Sequence, residues 1–208
     1  GFGGGVGAAA AGPDVTSYAF DGASHLQIPD HADWDLTGDF TAEFFVREPT
    51  LTGEPYLWVH AADNNNIRRF RIDGVSGALK YQVIDASSTV VSVITNSSVL
   101  TANTWHHIML VRNNDDYYIF VDGTDQVSSG SPDSSSVPAL AGDVYIGQRG
   151  DGTNYFSGSL DEIRVSDTAR YTSGFSVETS QFESDANTLL LIHCGEAIAS
   201  GTTGSGAT

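Results

Sequence analysis

Cysteine is almost absent from this sequence of 208 residues. Cys194 is the only one, and a single thiol cannot form a disulfide within its own chain. The protein must therefore fold without the cross-links that stabilise many small extracellular domains. Reducing and oxidising compartments are both compatible with this composition.

Basic residues are also scarce. Nine Lys and Arg side chains stand against 26 Asp and Glu, which gives a formal net charge of −17 at pH 7. Proteins that bind nucleic acids neutralise phosphates with Lys and Arg, and anionic lipid surfaces attract the same side chains. The composition therefore excludes nucleic acids and anionic membranes as main partners. A net charge this far from zero also favours solubility.

Long apolar runs and helical periodicity are missing as well. No segment approaches the roughly 20 apolar residues of a membrane-spanning helix. The opening GFGGGVGAAAAGP lacks the basic start and Leu-rich middle of a signal peptide. No stretch of ten or more residues has apolar side chains at the helical spacings of three and four. The sequence therefore predicts neither membrane insertion nor a helical fold.

The sequence does contain strand-like alternation of period two. In FTAEFFVR, residues 40–47, every second residue from Phe40 onward is apolar and most of the others are polar. This pattern predicts a strand with one core face and one wet face. Further strands are predicted at residues 56–61, 69–72, 79–84, 90–94, 105–112, 116–121, 144–147, 159–165 and 188–193. Short strands separated by Gly, Asn and Asp turns predict an all-β, antiparallel two-sheet β-sandwich or jelly roll.

The length and the two ends predict the domain organisation. A chain of 208 residues fits one domain. The sandwich is predicted to cover residues 14–194. Residues 1–13 are predicted to be a Gly/Ala-rich linker or tail, and residues 195–208 a flexible C-terminal linker, because neither end can supply much core.

Several strings along the chain carry a family resemblance. They are YAFDG, LQIPD, DWDLTGDFTAEFFVR, NTWHHIMLVRNNDDYYIFVDG, VYIGQRG, FSGSLDEIRVSDTARYTSGF and DANTLLLIH, in this order. Together, their order and spacing resemble the laminin-G-like jelly rolls of the concanavalin A-like lectin/glucanase superfamily. The resemblance spans about Tyr18 to His193 and implies the same two-sheet sandwich.

The resemblance also implies a setting. The variety with ARYTSGF after SLDEIRVS, and with LLLIHC near the end, is most similar to domains of phage structural and tail proteins and of bacterial surface proteins. It implies an extracellular or virion-surface location and one unit of a longer fibre-like or adhesive protein. The implied partners are a glycan or cell-surface receptor, or copies of itself and neighbouring domains. The implied functions are surface recognition without catalysis or, as the alternative, pure architecture.

Glycoside hydrolysis is a third alternative, because glucanases belong to the same superfamily. Their catalytic carboxylates sit on alternate residues of one strand and share one face. Here Asp161 and Glu162 are adjacent, which predicts opposite faces, and Glu43 stands alone in its strand. The spacing therefore disfavours a hydrolase and predicts no catalytic residues.

Calcium is the one cofactor that the resemblance suggests, since laminin-G-like domains often hold a structural calcium ion. Calcium takes six to eight oxygen ligands. The resemblance makes Asp21 of FDG and Asp161 of SLDEIRV the first candidate ligands, with Asp143 before VYIG next. The alternative is that Asp21 shapes a turn and Asp161 accepts backbone hydrogen bonds.

A sugar site requires exposed aromatic rings beside planar polar groups. Phe45 falls on the polar face of its strand, Trp58 is expected to share a face with Tyr56 and His60, and Trp34 and Tyr155 lie in loops. The candidate ligand-binding residues are therefore Phe45, Trp58, Tyr155 and Trp34. Burial within the sandwich is the alternative for each, because large aromatic side chains dominate protein cores.

Two short motifs complete the set of candidates. His106 and His107 are neighbours in one strand, so one is expected to be buried and the other exposed, and they cannot chelate one ion together. Arg149-Gly150-Asp151 spells the integrin tripeptide in a predicted loop, but such short strings also arise by chance.

Overall fold

The computed structural model describes residues 17–74 and 76–194. It contains one short 3-10 helix, Ala32–Asp35, and 14 strands. The strands are β1 (Tyr18–Asp21), β2 (Leu26–Ile28), β3 (Phe40–Arg47), β4 (Tyr56–Asp63), β5 (Asn66–Asp73), β6 (Ala78–Asp85), β7 (Ser88–Thr95), β8 (His106–Asn113), β9 (Asp116–Val121), β10 (Thr124–Asp125), β11 (Val127–Ser129), β12 (Asp143–Ile146), β13 (Ser157–Ser166) and β14 (Thr188–Ile192). The predicted linkers, 1–13 and 195–208, lie outside the described residues.

The strands form two antiparallel sheets of seven strands each. Sheet A has the order β1-β13-β3-β8-β9-β10, and β14 also pairs with β13. Sheet B has the order β11-β7-β6-β5-β4-β12-β2. The predicted all-β, two-sheet sandwich is confirmed, and so is its antiparallel pairing.

The core lies between the inner faces of the two sheets. Alternate residues of β3, from Phe40 to Val46, point into it, as the pattern predicts. Sheet B contributes Trp58, Phe70 and Tyr81, each at most 1 % exposed. Because the apolar area removed from water is the main favourable term in folding, this layer stabilises the sandwich.

All the predicted strands are present, with ends shifted by a few residues. The strands that the patterns do not reveal are β1, β2, β10 and β11, which have two to four residues each and are too short to show alternation. Within residues 17–74 and 76–194, no helix has the length and hydropathy needed to cross a membrane.

The outer face of sheet A is covered, contrary to the prediction of a wet face. Residues 167–187, here called the strap, leave β13 and return to β14, and the Asp167 amide donates to the Asn187 carbonyl at 3.0 Å. Phe182 of the strap lies 6.0 Å from the Phe45 ring, and Phe175 lies 5.4 Å from the Phe120 ring. A face that reads as polar in one strand is thus buried by a distant segment.

A buried ionic cluster lies beneath the strap. The Glu43 carboxylate accepts from Arg164 Nε at 2.8 Å and lies 3.1 Å from His107 Nε2, while Arg170 of the strap lies 3.8 Å from it. The Glu43 side chain is only 2 % exposed. The polar residue that alternation placed outside the core is therefore buried in a charged second layer.

The histidine pair also departs from prediction. His106 and His107 are 8 % and 1 % exposed, so both are buried. His106 lies against the turn after β9, with Nδ1 2.7 Å from Asp122, and its Nε2 accepts from the Thr101 amide at 2.9 Å. The two rings do point apart, but each side of this strand is covered.

Candidate functional site

The outer face of sheet B gathers polar and aromatic side chains across several strands. The register aligns Tyr145 of β12 with Val59, Val59 with Arg69, Arg69 with Gln82, and Gln82 with Ser92. Neighbouring strands are about 4.8 Å apart, so this row extends for about 19 Å. It has the length of a short oligosaccharide.

A second row runs beside the first. Tyr56 aligns with Arg71, and Arg71 aligns with Lys80. We call the combined surface the sheet B platform. Its members are Tyr56, Arg69, Arg71, Lys80, Gln82, Tyr145 and Arg149.

Arg69 is held flat in the centre of the platform by neutral groups. Its Nη1 donates to the Tyr56 hydroxyl at 3.1 Å and its Nη2 donates to Gln82 Oε1 at 2.9 Å. The Arg69 and Arg149 guanidinium groups lie 5.9 Å and 6.0 Å from the Tyr56 ring centroid. Burial lowers the pKa of Arg69, which means that its charge is partly removed from water.

The loop between β12 and β13 forms one rim of the platform. Asp151 Oδ1 accepts from the Thr153 amide at 3.1 Å, and Asp151 Oδ2 accepts from Asn64 at 3.0 Å. Gly150 has a φ of +99° and lies against the Tyr145 ring, where a Cβ atom would come within 3.1 Å of it. Between this loop and β4 is a shallow cavity of about 190 Å³.

The rim also contains the predicted ligand residue Tyr155. Tyr155 is partly exposed, and its ring lies 6.1 Å from the His25 ring, which in turn lies 6.2 Å from Tyr145. Tyr155 is therefore the one predicted aromatic beside the platform. The tripeptide Arg149-Gly150-Asp151 forms this same rim, with Arg149 Nε 3.9 Å from its own Asp151.

The other predicted aromatics do not offer an exposed ring. Phe45 is 0 %, Trp58 1 % and Trp34 5 % exposed. Phe45 lies under the strap, and Trp34 packs in the core with its Nε1 donating to the Pro29 carbonyl at 3.2 Å. All three rings are therefore buried within the sandwich, which is the alternative stated for each of them. For Phe45 the sequence could not decide this, because alternation does not reveal which segment covers a face.

Trp58 faces the core because of an irregularity in its own strand. A register shift lies between Tyr56 and Trp58 in β4, and such a bulge reverses the alternation. Trp58 consequently joins the central core, whereas Tyr56 belongs to the outer cluster with Val59. The prediction that Tyr56 and Trp58 share one face is wrong.

The predicted calcium ligands are not brought together. Asp21 aligns with Ser157, four residues from Asp161 along β13, which is about 13 Å at the rise of a strand. Asp143 lies in the other sheet, where it accepts from Gln27 and from the Asp30 amide. Among the described residues, no three His, Cys, Asp or Glu side chains are grouped as a metal would require. The three aspartates therefore do not fit one common calcium ion.

Asp21 and Asp161 instead make local hydrogen bonds. The Asp21 carboxylate accepts from the Ala23 and Ser24 amides at 2.9 Å and 2.8 Å. These bonds lower the pKa of Asp21, since they favour the ionised form. Asp161 accepts from the Glu162 amide at 2.9 Å.

The carboxylates of sheet A are occupied by other groups. A bulge between Asp161 and Arg164 interrupts the alternation, and Glu162 accepts from the Phe182 amide at 2.7 Å and lies 2.8 Å from His193 Nδ1. Glu43 is held by Arg164 and His107. A glycosidase needs one carboxyl to protonate the leaving group and a second to act as nucleophile or base, and these two groups are both held in hydrogen bonds.

Glu48 has a raised pKa of the kind that a general acid needs at neutral pH. Burial raises the pKa of Glu48 to about 7. It lies five residues from Glu43, about 17 Å along an extended chain and therefore beyond the spacing of catalytic pairs.

Burial likewise raises the pKa of the Cys194 thiol to about 12, so this cysteine is a poor nucleophile at neutral pH.

A larger depression of about 1300 Å³ lies between the strap and sheet A. Its charged groups bind one another, because Arg170 donates to both oxygens of Asp185 at 2.8 Å and 2.9 Å and Arg164 donates to Glu43. The depression has one buried side-chain atom without a hydrogen-bond partner, His107 Nδ1, whereas the sheet B platform has the Nε atoms of three arginines, Arg69, Arg71 and Arg149. The platform is therefore the better candidate site.

Sequence patterns contain one signal for the platform. Arg69 and Arg71 are two residues apart in a predicted strand, as are Lys80 and Gln82 in the next. Such spacing places each pair on one face. The sequence does not reveal that Arg69 lies opposite Gln82, since cross-strand register is a tertiary property.

Comparisons with known proteins agree with this architecture. The family model described as the concanavalin A-like lectin/glucanases superfamily, of laminin G type, matches residues 20–173. No curated protein matches the chain in sequence.

Three solved structures show the same fold at low sequence identity. Domains LG4-5 of the mouse laminin α1 chain are 14 % identical with a TM-score of 0.55, over 76 % of this chain and 44 % of that one. A Bacteroides ovatus protein described as a candidate carbohydrate-binding protein is 17 % identical with a TM-score of 0.64, over 89 % and 54 %. The Ruminococcus gnavus IT-sialidase CBM40, bound to α2,3-sialyllactose, is 11 % identical with a TM-score of 0.57, over 75 % and 91 %. This chain thus spans about half the length of the first two.

Proposed function

The chain belongs to the concanavalin A-like lectin/glucanases superfamily, and on this premise we propose that it is a non-catalytic recognition domain that binds carbohydrate on the sheet B platform. One observation carries the proposal. Tyr145, Arg69 and Gln82 are aligned in one row across the outer face of sheet B.

The chemistry of this row suits a sugar. Pyranose rings present apolar C–H faces that pack on aromatic rings, and their hydroxyls bond to planar amide and guanidinium groups. Tyr145 is partly exposed at one end of the row, and Arg69 and Gln82 are bonded to each other at its centre. Because these groups are already oriented, binding would cost little side-chain entropy.

Two structural neighbours support the proposal. The Bacteroides ovatus protein is described as a candidate carbohydrate-binding protein, and the Ruminococcus gnavus CBM40 is bound to α2,3-sialyllactose. At 17 % and 11 % identity they share the fold with this chain, and fold alone does not decide function. The proposal therefore rests on the side chains of the platform.

Replacing Tyr145 by alanine should weaken glycan binding about tenfold or more, since it removes the partly exposed ring of the row. The measurement is a glycan array followed by titration calorimetry on each glycan that gives a signal. Tyr171→Ala is the matched control, because Tyr171 is an exposed tyrosine on the strap, above the other sheet. Equal loss in the two variants, or no loss in either, would refute this site.

The proposed setting is the surface of a phage virion or a bacterial surface protein. It is supported by the resemblance of SLDEIRVSDTARYTSGF and LLLIHC to domains of such proteins. A receptor, a second copy of the chain or a neighbouring fibre domain would be further partners there. A stable oligomer in light scattering, together with a silent glycan array, would favour the purely architectural alternative.

Calcium binding stays a prediction from the resemblance. A ligand that binds only the folded state raises the melting midpoint. If Asp21, Asp161 or Asp143 each ligates calcium with nearby carbonyl oxygens, the midpoint should rise by several degrees in millimolar calcium and fall again with EDTA. Identical melting midpoints in both buffers would refute calcium binding.

A further inference from the structure

We propose that the sheet B platform selects acidic glycans, whose sugars carry a carboxylate, over neutral ones. This inference rests on the proposed function and specifies its substrate class. The observations that carry it are the positions and the partners of the basic side chains.

Positive charge is concentrated on the platform. The chain has nine Lys and Arg residues and a net charge of −17. Four of the nine, Arg69, Arg71, Lys80 and Arg149, belong to this one surface. An acidic protein that gathers its few cations on one face creates a local positive potential there.

The basic side chains elsewhere are bound to other groups. Arg68 donates to the Trp34 and Asp35 carbonyls inside the sandwich, and Arg112 donates to the Thr37 carbonyl. Under the strap, Arg164 and Arg170 pair with carboxylates. Arg47 lies 5.4 Å from the Trp105 ring. Arg68 and Arg112 are buried with neutral partners, and Arg47 is a single exposed cation on sheet A. Among the described residues, the platform is therefore where several cations outnumber their carboxylate partners on one surface.

The cations of the platform are only partly neutralised. Arg71 pairs with Glu54 at 3.0 Å, and Arg149 lies 3.9 Å from Asp151. The hydrogen-bond partners of Arg69 are neutral, namely Tyr56 and Gln82. The Lys80 side chain makes no hydrogen bond or ion pair within the described part of the chain. Two carboxylates thus pair with the four cations, while Asp143 and Asp63 lie at the Tyr145 end of the platform.

The arginines also retain unused donors. The Arg71 side chain is 7 % exposed, and its Nε is buried without a partner, as are those of Arg69 and Arg149. Burying charged donors without compensation costs free energy. A carboxylate bound on the platform would lie close to these guanidinium groups and compensate part of that cost through their charge.

The test uses pairs of ligands in which one member carries a carboxylate and the other does not. Oligogalacturonate and its methyl ester have the same sugar rings, and α2,3-sialyllactose and lactose differ by one acidic sugar. Titration calorimetry should show that at least one acidic member binds about tenfold more tightly than its neutral partner. Equal affinity within both pairs would overturn the selectivity while leaving carbohydrate binding intact.

Variants locate the selectivity. Lys80→Gln should reduce the preference for the acidic ligand severalfold. It should leave the melting midpoint unchanged, since the Lys80 side chain makes no hydrogen bond or ion pair among the described residues. Arg69→Gln should reduce it about tenfold, and Arg47→Gln on sheet A is the matched control. A preference that survives both platform variants would overturn the inference. No binding to any glycan tested would instead refute the proposed function and, with it, the selectivity.

Discussion

Replacing Glu43 by glutamine should lower the free energy of unfolding by about 3 kcal/mol or more, the range measured when one partner of a buried charge cluster is removed. Glutamine keeps the shape of the side chain but loses its charge. Arg164, 9 % exposed, would then lose the negative charge that compensates its burial, and His107, 1 % exposed, would lose the carboxylate beside its Nε2. Urea denaturation followed by fluorescence measures this loss.

The matched comparison is Asp185→Asn, which removes the charge of a carboxylate on the strap. Asp185 also pairs with an arginine, Arg170, but its side chain is 50 % exposed. Exposed ion pairs contribute about 1 kcal/mol or less, so this variant should lose much less stability. Losses of similar size at both positions would contradict the role assigned to the buried cluster.

The second large effect concerns pH. Burial raises the pKa of Glu48 from 4.5 to about 7, so the folded protein holds a proton that the unfolded chain releases over this range. The resulting stability is fully present below pH 4.5 and is lost as the pH rises through about 7. The difference corresponds to about 3 kcal/mol.

Glu48→Gln should therefore be more stable than the parent protein at pH 8, by up to about 3 kcal/mol, and should gain little at pH 4. Thermal melting across this pH range measures the effect. Glu178→Gln serves as the control, because Glu178 is an exposed glutamate. A gain that is constant with pH would show that packing, and not ionisation, is responsible.

His60 makes the pH profile more informative. Its ring is buried, and burial lowers the pKa of His60 from 6.5 to about 4. Its contribution has the opposite sign, since stability is present above pH 6.5 and is lost as the pH falls towards 4. Glu48 and His60 thus oppose each other between pH 4.5 and 6.5. Without Glu48, stability should rise with pH over that interval.

Local patterns predicted the strands well and the site poorly. The alternation in residues 40–47 correctly places Phe40 and Phe44 in the core, because period two follows from the geometry of a strand. The same alternation says nothing about what covers the other face. Phe45 was therefore assigned to an exposed surface, although Phe182, more than 130 residues later, packs on it.

Irregularities within strands also change which face a side chain lies on. The register shift between Tyr56 and Trp58 moves Trp58 to the inner face. The bulge between Asp161 and Arg164 turns Glu162 towards the strap. A bulge adds one residue to one strand of a pair, and no composition signal in YLWVHA or SLDEIRV announces it.

The sequence by itself determined that the chain is an antiparallel two-sheet β-sandwich, because alternation and turn residues are local properties that act within a few positions. The tertiary structure alone decided which outer face the strap covers. The strap covers sheet A, while cross-strand register places Tyr145, Arg69 and Gln82 in one row on sheet B. Such contacts join residues far apart in the chain, and they depend on how complete strands pair and pack.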